Sequence, residues 1–195
     1  MADINSIMGG WVDRQPWMFW DHINVPAGTT IPATLSPFTN PINSTDPITN
    51  TQKTKVDTNM QRGNQFPPPQ CLVLMSIMFF IETDMLKTDL DALLKACYFE
   101  FKIDQKTFVE GLLWMAPGGN GLTGFTTQNG QASFQMGLPA PQYARRFGNF
   151  SKYIAPLQNF TLNVIFPGTI PTMSTVGPGF QMWAVLDGVT DRPVQ

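Results

Sequence analysis

The residues of this sequence best suited to chemistry are one histidine and two cysteines. Because His22 is the only histidine, a zinc site would need carboxylates and lone cysteines at no recognised spacing. Cys71 and Cys97 each lie in an apolar, strand-like run, where the thiolate that a nucleophile needs is disfavoured. We therefore predict no catalytic site and no metal site, and we expect His22 to be a side chain of the first strand.

A glycine-rich segment, GNGLTG at residues 119–124, has the spacing of a dinucleotide-binding fingerprint. That fingerprint needs a helix directly after it, because the N-terminus of the helix holds the pyrophosphate. Residues 125–131 have no helical period, and no strand–helix–strand pattern surrounds them. The segment is therefore interpreted as a turn, and no cofactor is predicted.

The charge of the chain limits the partners it can have. Its formal net charge is −2, so no general basic field exists to hold a nucleic acid backbone, and no specific nucleic-acid site is predicted. Charged residues make up 13% of the chain, against roughly 25% in an average soluble domain. Such a composition leaves much neutral surface, which either promotes aggregation or belongs to a partner.

Two segments carry large apolar residues at every second position, as half-buried strands do. The alternating residues are Phe160, Leu162, Val164 and Phe166 in one segment, and Cys97, Phe99, Phe101 and Ile103 in the other. Because each predicted strand has only one apolar face, the two need partner surfaces. They predict an all-β domain, built as two sheets packed face to face or as one sheet closed on itself.

The remaining predicted elements bring the count to about eight strands and one short helix. Residues 71–81 are apolar on both faces, which indicates a central strand covered on both sides or one whose outer face meets another subunit. Residues 88–95 begin with a capping box and predict the helix. A strand is predicted at residues 107–115, and residues 139–149 are interpreted as a second connection, which carries Arg145 and Arg146. A last strand is predicted at residues 180–186, followed by a polar C-terminal tail at 187–195.

Two segments have no clear place in one compact domain. Residues 1–20 hold Trp11, Trp17 and Trp20, which predict either a first strand with a covering loop or an N-terminal arm that docks on a neighbour. Residues 36–70, called here the long connection, are rich in Pro, Thr and Asn and have little periodicity. A connection of this length is usually functional or ordered by a partner, and we expect contacts outside its own domain to order it.

The cysteines and the termini give weaker signals. A disulfide between Cys71 and Cys97 is geometrically feasible, but two buried thiols are the commoner outcome. No basic segment followed by an apolar core begins the sequence, so no secretory signal is expected. The longest apolar run, residues 71–81, is shorter than the roughly 20 residues a membrane-spanning helix needs. We expect a chain that is soluble before it assembles.

The arrangement as a whole resembles a single-jelly-roll major capsid protein of a tailless icosahedral bacteriophage. The resemblance covers most of the chain and combines an N-terminal arm, about eight short strands, proline-rich connections and few charges. Locally it depends on KTKVDTNM at residues 53–60 leading through the prolines at 67–69 into a strand, on WMAPGG at 114–119, and on YIAPLQNF at 153–160.

The resemblance implies one eight-stranded jelly-roll domain over residues 1–195 and a structural role without catalysis. The chain would be made in the host cytoplasm and self-assemble into the icosahedral shell of a virion. Its partners would be other copies of itself and other capsid proteins, with an internal membrane or the genome as a neighbour beneath the shell. The residues expected at the subunit interface are Trp11, Trp17, Trp20, Phe66, Arg145 and Arg146.

Two alternatives remain at this stage. The chain could be a phage spike or decoration protein with the same fold. It could also be a carbohydrate-binding β-sandwich that stacks aromatic rings on sugar faces. The tryptophans that could form such a platform are Trp11, Trp17, Trp20, Trp114 and Trp183. A binding module would remain monomeric, whereas a shell protein would assemble, so the state of association separates the hypotheses.

Overall fold

The computed structural model of the chain describes residues 12–81, 87–116, 122–128, 131–136, 145–147, 151–175 and 179–193. These residues form eleven strands, one α-helix, and a 3-10 helix at Leu113–Met115. In chain order the elements are β1 Val12–Val25, β2 Thr34–Leu35, β3 Leu72–Ile81, α1 Lys87–Ala96, β4 Tyr98–Ile103, β5 Lys106–Leu112, β6 Leu122–Gln128, β7 Gln131–Met136, β8 Arg145–Arg146, β9 Lys152–Ile154, β10 Phe160–Ile165 and β11 Phe180–Pro193. The prediction of an all-β protein with one short helix is confirmed.

The strands form two principal sheets and a separate β6–β7 hairpin, and all of the strand pairs are antiparallel. One sheet has the order β1-β11-β3-β8, with β9 also paired to β3, and the other has the order β2-β10-β4-β5. Strands β8 and β9 pair with successive parts of β3, at Ser76 and Ile77 and at residues 72–74. They therefore act as one interrupted edge strand, and each sheet has four strand positions.

This strand order is that of an eight-stranded jelly roll. When the β6–β7 hairpin is left out and β8 and β9 count as one position, the strands numbered along the chain read 1-8-3-6 in one sheet and 2-7-4-5 in the other. Every connection between successive positions crosses from one sheet to the other, except the β4–β5 hairpin. The described strands form a two-sheet sandwich rather than a closed barrel, which is the double-sheet form of this architecture.

The core lies between the two sheets, where the period-two pattern places it. Phe99 and Phe101 of β4 and Phe160, Leu162 and Val164 of β10 all lie within the interior, with at most 1% of their surface exposed. In the register of the sheet Leu162 is opposite Phe101 and Val164 is opposite Phe99. These cross-strand neighbours share one face, so the predicted core of both strands is confirmed.

The first and last strands are longer than predicted. β1 and β11 pair in continuous register from Val12–Pro193 to Val25–Phe180. The predicted arm at 1–20 is therefore a strand from residue 12 onward, and the predicted tail at 187–195 is a strand as far as residue 193. Residues 1–11 and 194–195 lie outside the described residues.

A bulge explains why the sequence pattern stopped at Leu186. The register between β3 and β11 shifts between Asp187 and Gly188, so the alternation of faces is interrupted there. A Cβ atom at Gly188 would collide with the carbonyl oxygen of Val73, so only glycine allows this approach of the two backbones. Beyond the bulge, backbone pairing with β1 continues to Pro193, although only Val189 and Pro193 are apolar there.

Three smaller predictions have mixed outcomes. The helix is present, whereas the strand predicted up to Met115 ends at Leu112 and gives way to the 3-10 helix. Arg145 and Arg146, placed in a loop by the sequence, form the short strand β8. Both cysteines are buried free thiols, and burial raises the pKa of Cys97 to about 12.

Candidate association surfaces

The predicted interface residues are not brought together by the fold. Trp11 lies outside the described residues. Arg145 pairs with Ile77 through the backbone of β8, and its side chain also lies outside the described part of the chain. The side chain of Arg146 is exposed. The sheet order places this arginine pair and the tryptophans of β1 at opposite edges of one sheet.

Phe66 is a core residue, so its assignment to a subunit interface was wrong. None of its surface is exposed. Its ring lies 4.5 Å from that of Phe19 and 5.0 Å from that of Phe160, measured between centroids. The sequence places Phe66 beside three prolines in a polar connection, so its burial depends on where that connection lies in the fold.

The two described tryptophans of the predicted arm lie on β1. Trp20 is on the outer face of the sheet and partly buried, packed with Phe80 against Met78 and Val185. Trp17 keeps 37% of its surface exposed. The first-strand interpretation therefore holds for both residues, and only Trp17 of the two is substantially exposed.

The long connection is ordered by its own domain, which corrects the expectation that a partner orders it. Its apolar side chains Phe38, Met60 and Phe66 are buried in the core with at most 1% of their surface exposed. Three of its asparagines, Asn43, Asn50 and Asn64, take positive φ values, as does Phe38. Asparagine tolerates this conformation better than most residues, which gives the Asn-rich composition a local structural reason.

A buried ion pair joins the long connection to β1. Lys53 Nζ lies 2.7 Å from Asp21 Oδ1 and also donates to the carbonyl oxygen of His22 at 2.9 Å. The backbone N–H of Phe38 donates to the other oxygen of Asp21 at 2.7 Å. Burial raises the pKa of Asp21, and the attraction of Lys53 and these hydrogen bonds oppose that rise. Two segments of the connection therefore meet at one carboxylate.

Residues 57–59 continue this attachment along the free edge of β1. The N–H of His22 donates to the carbonyl oxygen of Asp57 at 2.7 Å, and Thr58 Oγ1 donates to the carbonyl oxygen of Trp20 at 3.1 Å. The side chain of Asn59 accepts from the N–H of Trp20 and donates to the carbonyl oxygen of Met18. The edge of β1 is thus covered from Met18 to His22, which blocks strand addition there.

His22 is part of the same attachment. Its ring stacks on Trp183 at 4.2 Å between centroids, and Nδ1 lies 3.4 Å from Asp57 Oδ1. Burial alone would raise the pKa of Asp57, but hydrogen bonds from Thr54 and His22 outweigh it and lower that pKa. Nε2 of His22 is buried without a hydrogen-bond partner. His22 is a side chain of β1, as the sequence predicted, and its contacts are those of a packing residue.

The described residues include nine large apolar side chains that remain exposed, and they fall into three groups. One is on β1 and the segment bonded to it, one on β3, β9 and the turn after β9, and one at the end of β5. The groups are Trp17, Met18 and Val56; Met75, Tyr153 and Leu157; and Leu112, Trp114 and Met115.

The third group, called here the apolar turn, is rigidly held. Leu113 and Ala116 are buried, and the N–H of Phe79 on β3 donates to the carbonyl oxygen of Ala116 at 2.9 Å. These anchors fix the 3-10 helix, while Trp114 keeps 55% of its surface exposed, beside Leu112 at 42% and Met115 at 47%. No sequence pattern indicated this arrangement, because the predicted strand continues to residue 115.

A groove opens on the opposite side of the sandwich, between the long connection and the ends of β1 and β2. Its volume is about 360 Å³, and the lining includes the apolar residues Ile23, Leu35 and Ile48. The Asp21–Lys53 ion pair also lines it. No aromatic side chain is among the residues that line it, so it offers no surface for stacking a sugar ring.

The described residues also bear on metal binding and on membrane insertion. They contain no group of three or more His, Cys, Asp or Glu side chains placed to hold a metal ion. No described helix has both the length and the apolar character needed to cross a membrane. Residues 122–128, which follow the glycine-rich segment, form β6 rather than the helix a dinucleotide fingerprint requires.

Comparisons with protein-family models, with curated proteins and with solved structures find no match to this chain.

Proposed function

We propose that this chain is a structural subunit that associates with copies of itself to build a closed shell, the capsid of a virion. One observation carries the proposal: exposed apolar side chains occur in three groups on different elements of a rigid sandwich. A binding module needs one such surface, whereas a subunit in a shell meets neighbours on more than one side.

The energetic reason is the exposure of large side chains in water. Burying apolar area is worth about 25 cal/mol per Å², and tryptophan is enriched among the residues that dominate interfaces. Trp114, with 55% of its surface exposed, lies on a turn that its own domain holds in place. Contact with another subunit would remove this surface from water without any rearrangement of the turn.

The jelly-roll strand order supports the proposal only by analogy. Double-sheet jelly rolls occur in viral capsid proteins, in lectins and in cupins, and a fold alone does not determine function. The groove without aromatic lining gives the lectin alternative no added support. Location in a virion, and other capsid proteins, a genome or a membrane as neighbours, belong to the same proposal.

The test is the mass of the purified chain by light scattering, together with electron micrographs of the same sample. The proposal expects concentration-dependent assembly into closed particles. A chain that stays monomeric at high concentration would contradict it and favour a binding module. Deleting residues 1–17 would not isolate an arm, because residues 12–17 pair with β11.

A further inference from the structure

We infer that the contact between copies is head-to-tail: the apolar turn of one copy inserts into the groove of the next. The inference deepens the proposed function and rests on it. It assigns Trp114 as the central residue of the inserting surface. It assigns the groove between the long connection and the ends of β1 and β2 as the receiving surface.

The two surfaces match in size and chemistry. The groove volume of about 360 Å³ lies at the low end of the range of small-molecule pockets, roughly 300–1,000 Å³, and suits one or two large side chains. Of its lining, Pro32 and Pro47 are exposed and Ile48 is partly exposed, and these side chains can pack against an indole ring and a methionine side chain. A buried indole also needs an acceptor for its N–H, and the exposed side chain of Thr39 provides a hydroxyl oxygen within the lining.

The placement of the two surfaces decides the kind of contact. β2 and β5 are the two edges of the sheet β2-β10-β4-β5, about 14 Å apart across three strand spacings. The groove is lined by Thr34 and Leu35 of β2, and the apolar turn follows β5. At the β5 side the sandwich continues into the other sheet, since Lys152 of β9 lies 5.0 Å from the ring centroid of Phe108 on β5.

The apolar turn and the groove lie on opposite sides of the domain, so two copies cannot bury both turns in both grooves. A two-fold dimer would require each copy to insert its turn into the other at the same time, and the sandwich between the two surfaces prevents this. The contact is therefore heterologous, and each added copy leaves one turn and one groove for further copies. Copies joined by such contacts continue to add until the assembly closes on itself, as a shell requires.

The first experiment removes each surface separately. Trp114→Ala truncates the inserting residue, and Thr34→Trp fills the groove from an exposed position on β2. Each variant should raise the concentration needed for assembly by about 30-fold or more, the effect expected for loss of a dominant interface residue. Trp17→Ala removes the exposed tryptophan of β1 and should raise that concentration less than Trp114→Ala does. Lys95→Ala, at an exposed position of α1 outside the groove, is the control and should leave assembly unchanged.

The second experiment mixes the two defective variants. Trp114→Ala keeps an open groove and Thr34→Trp keeps its apolar turn, so an equimolar mixture should form 1:1 heterodimers that grow no further. Light scattering of each variant alone and of the mixture measures this directly. Circular dichroism spectra matching wild type show that both variants are folded.

The outcomes separate the two proposals. If wild type assembles but either variant assembles equally well, or if the mixture forms no heterodimer, the head-to-tail contact is overturned while self-assembly stands. If Trp17→Ala abolishes assembly and Trp114→Ala does not, the contact lies on β1 instead. If wild type itself stays monomeric, the proposed function fails and this inference fails with it.

Discussion

The long connection and the apolar turn differ in composition, and in each segment the composition misleads about which side chains are buried. The long connection is polar and proline-rich, yet Phe38 and Phe66 lie in the core and Lys53 forms a buried ion pair with Asp21. The turn is apolar, yet it holds Trp114 in water. Composition therefore does not locate the surface offered to a partner. The fold does, because it decides which side chains of each segment face the core and which face water.

The largest expected effect comes from removing the ring that the core and the long connection share. The Phe160 ring centroid lies 6.0 Å from that of Phe38 and 5.0 Å from that of Phe66. Phe160→Ala should lower the free energy of unfolding by about 3–5 kcal/mol, through lost burial and the cavity left behind. Urea denaturation measures this. The control Thr161→Ala, on the other face of β10, should cost less than about 1 kcal/mol. Equal losses in the two variants would contradict the shared core.

The ion pair tests whether the long connection is held from within. Lys53→Met should lower the free energy of unfolding at pH 7 by about 3 kcal/mol or more, because Asp21 is left buried without its partner. The connection should also become sensitive to protease. Lys55→Met, at an exposed position of the same segment, should change stability by less than about 0.5 kcal/mol.

The stability lost in Lys53→Met should depend on pH, and the direction of that dependence follows from the burial of Asp21. Burial raises the pKa of Asp21, and removing Lys53 removes the main opposing attraction. A carboxyl whose folded-state pKa is raised contributes stability below its unfolded pKa of about 3.9 and loses it as pH rises. The deficit of Lys53→Met against wild type should therefore be smaller at pH 4 than at pH 7. An equal deficit at both values would mean that Asp21 is not the source of the loss.

A smaller effect is expected at alkaline pH from the buried thiol of Cys97. Its pKa is raised to about 12 in the folded chain, from an ordinary value of 9.0. The unfolded chain loses this proton first as pH rises, so stability falls between these two values. From pH 8 to pH 10 the loss from this thiol should be about 1 kcal/mol, measured by urea denaturation. Cys97→Ala should have a lower free energy of unfolding than wild type at pH 8. It should lose less of that free energy between pH 8 and pH 10.

The smallest effect on stability is expected at the apolar turn. Trp114→Ala should change the free energy of unfolding of the dissociated chain by less than about 0.5 kcal/mol, because the turn is held by Leu113 and Ala116 instead. The measurement is urea denaturation at a concentration too low for assembly. A loss of several kcal/mol would mean that Trp114 supports its own domain, and the contrast with the long connection would disappear.

The sequence by itself determined the parts of the fold that depend on local side-chain pattern. The alternation in β4 and β10 identified both strands and their buried faces, since a pleated strand presents every second side chain to the same side. The pattern at residues 88–95 located α1, because its leucines recur at helical spacing and Leu90 and Leu93 lie in the core. The apolar run at residues 71–81 was correctly assigned to a central strand, β3, between β11 and the β8–β9 edge. The strand is not covered on both faces, because Met75 keeps 48% of its surface exposed.

Tertiary structure alone decided the rest. The full lengths of β1 and β11 depend on backbone pairing between the two ends of the chain, which needs no side-chain period and leaves no pattern to detect. The burial of Phe66, and the pairing of Asp21 with Lys53, depend on residues brought together from separate segments. The exposure of Trp114 depends on Leu113 and Ala116 occupying the core beneath it. Local sequence carries no record of such contacts, because they exist only once the sandwich has formed.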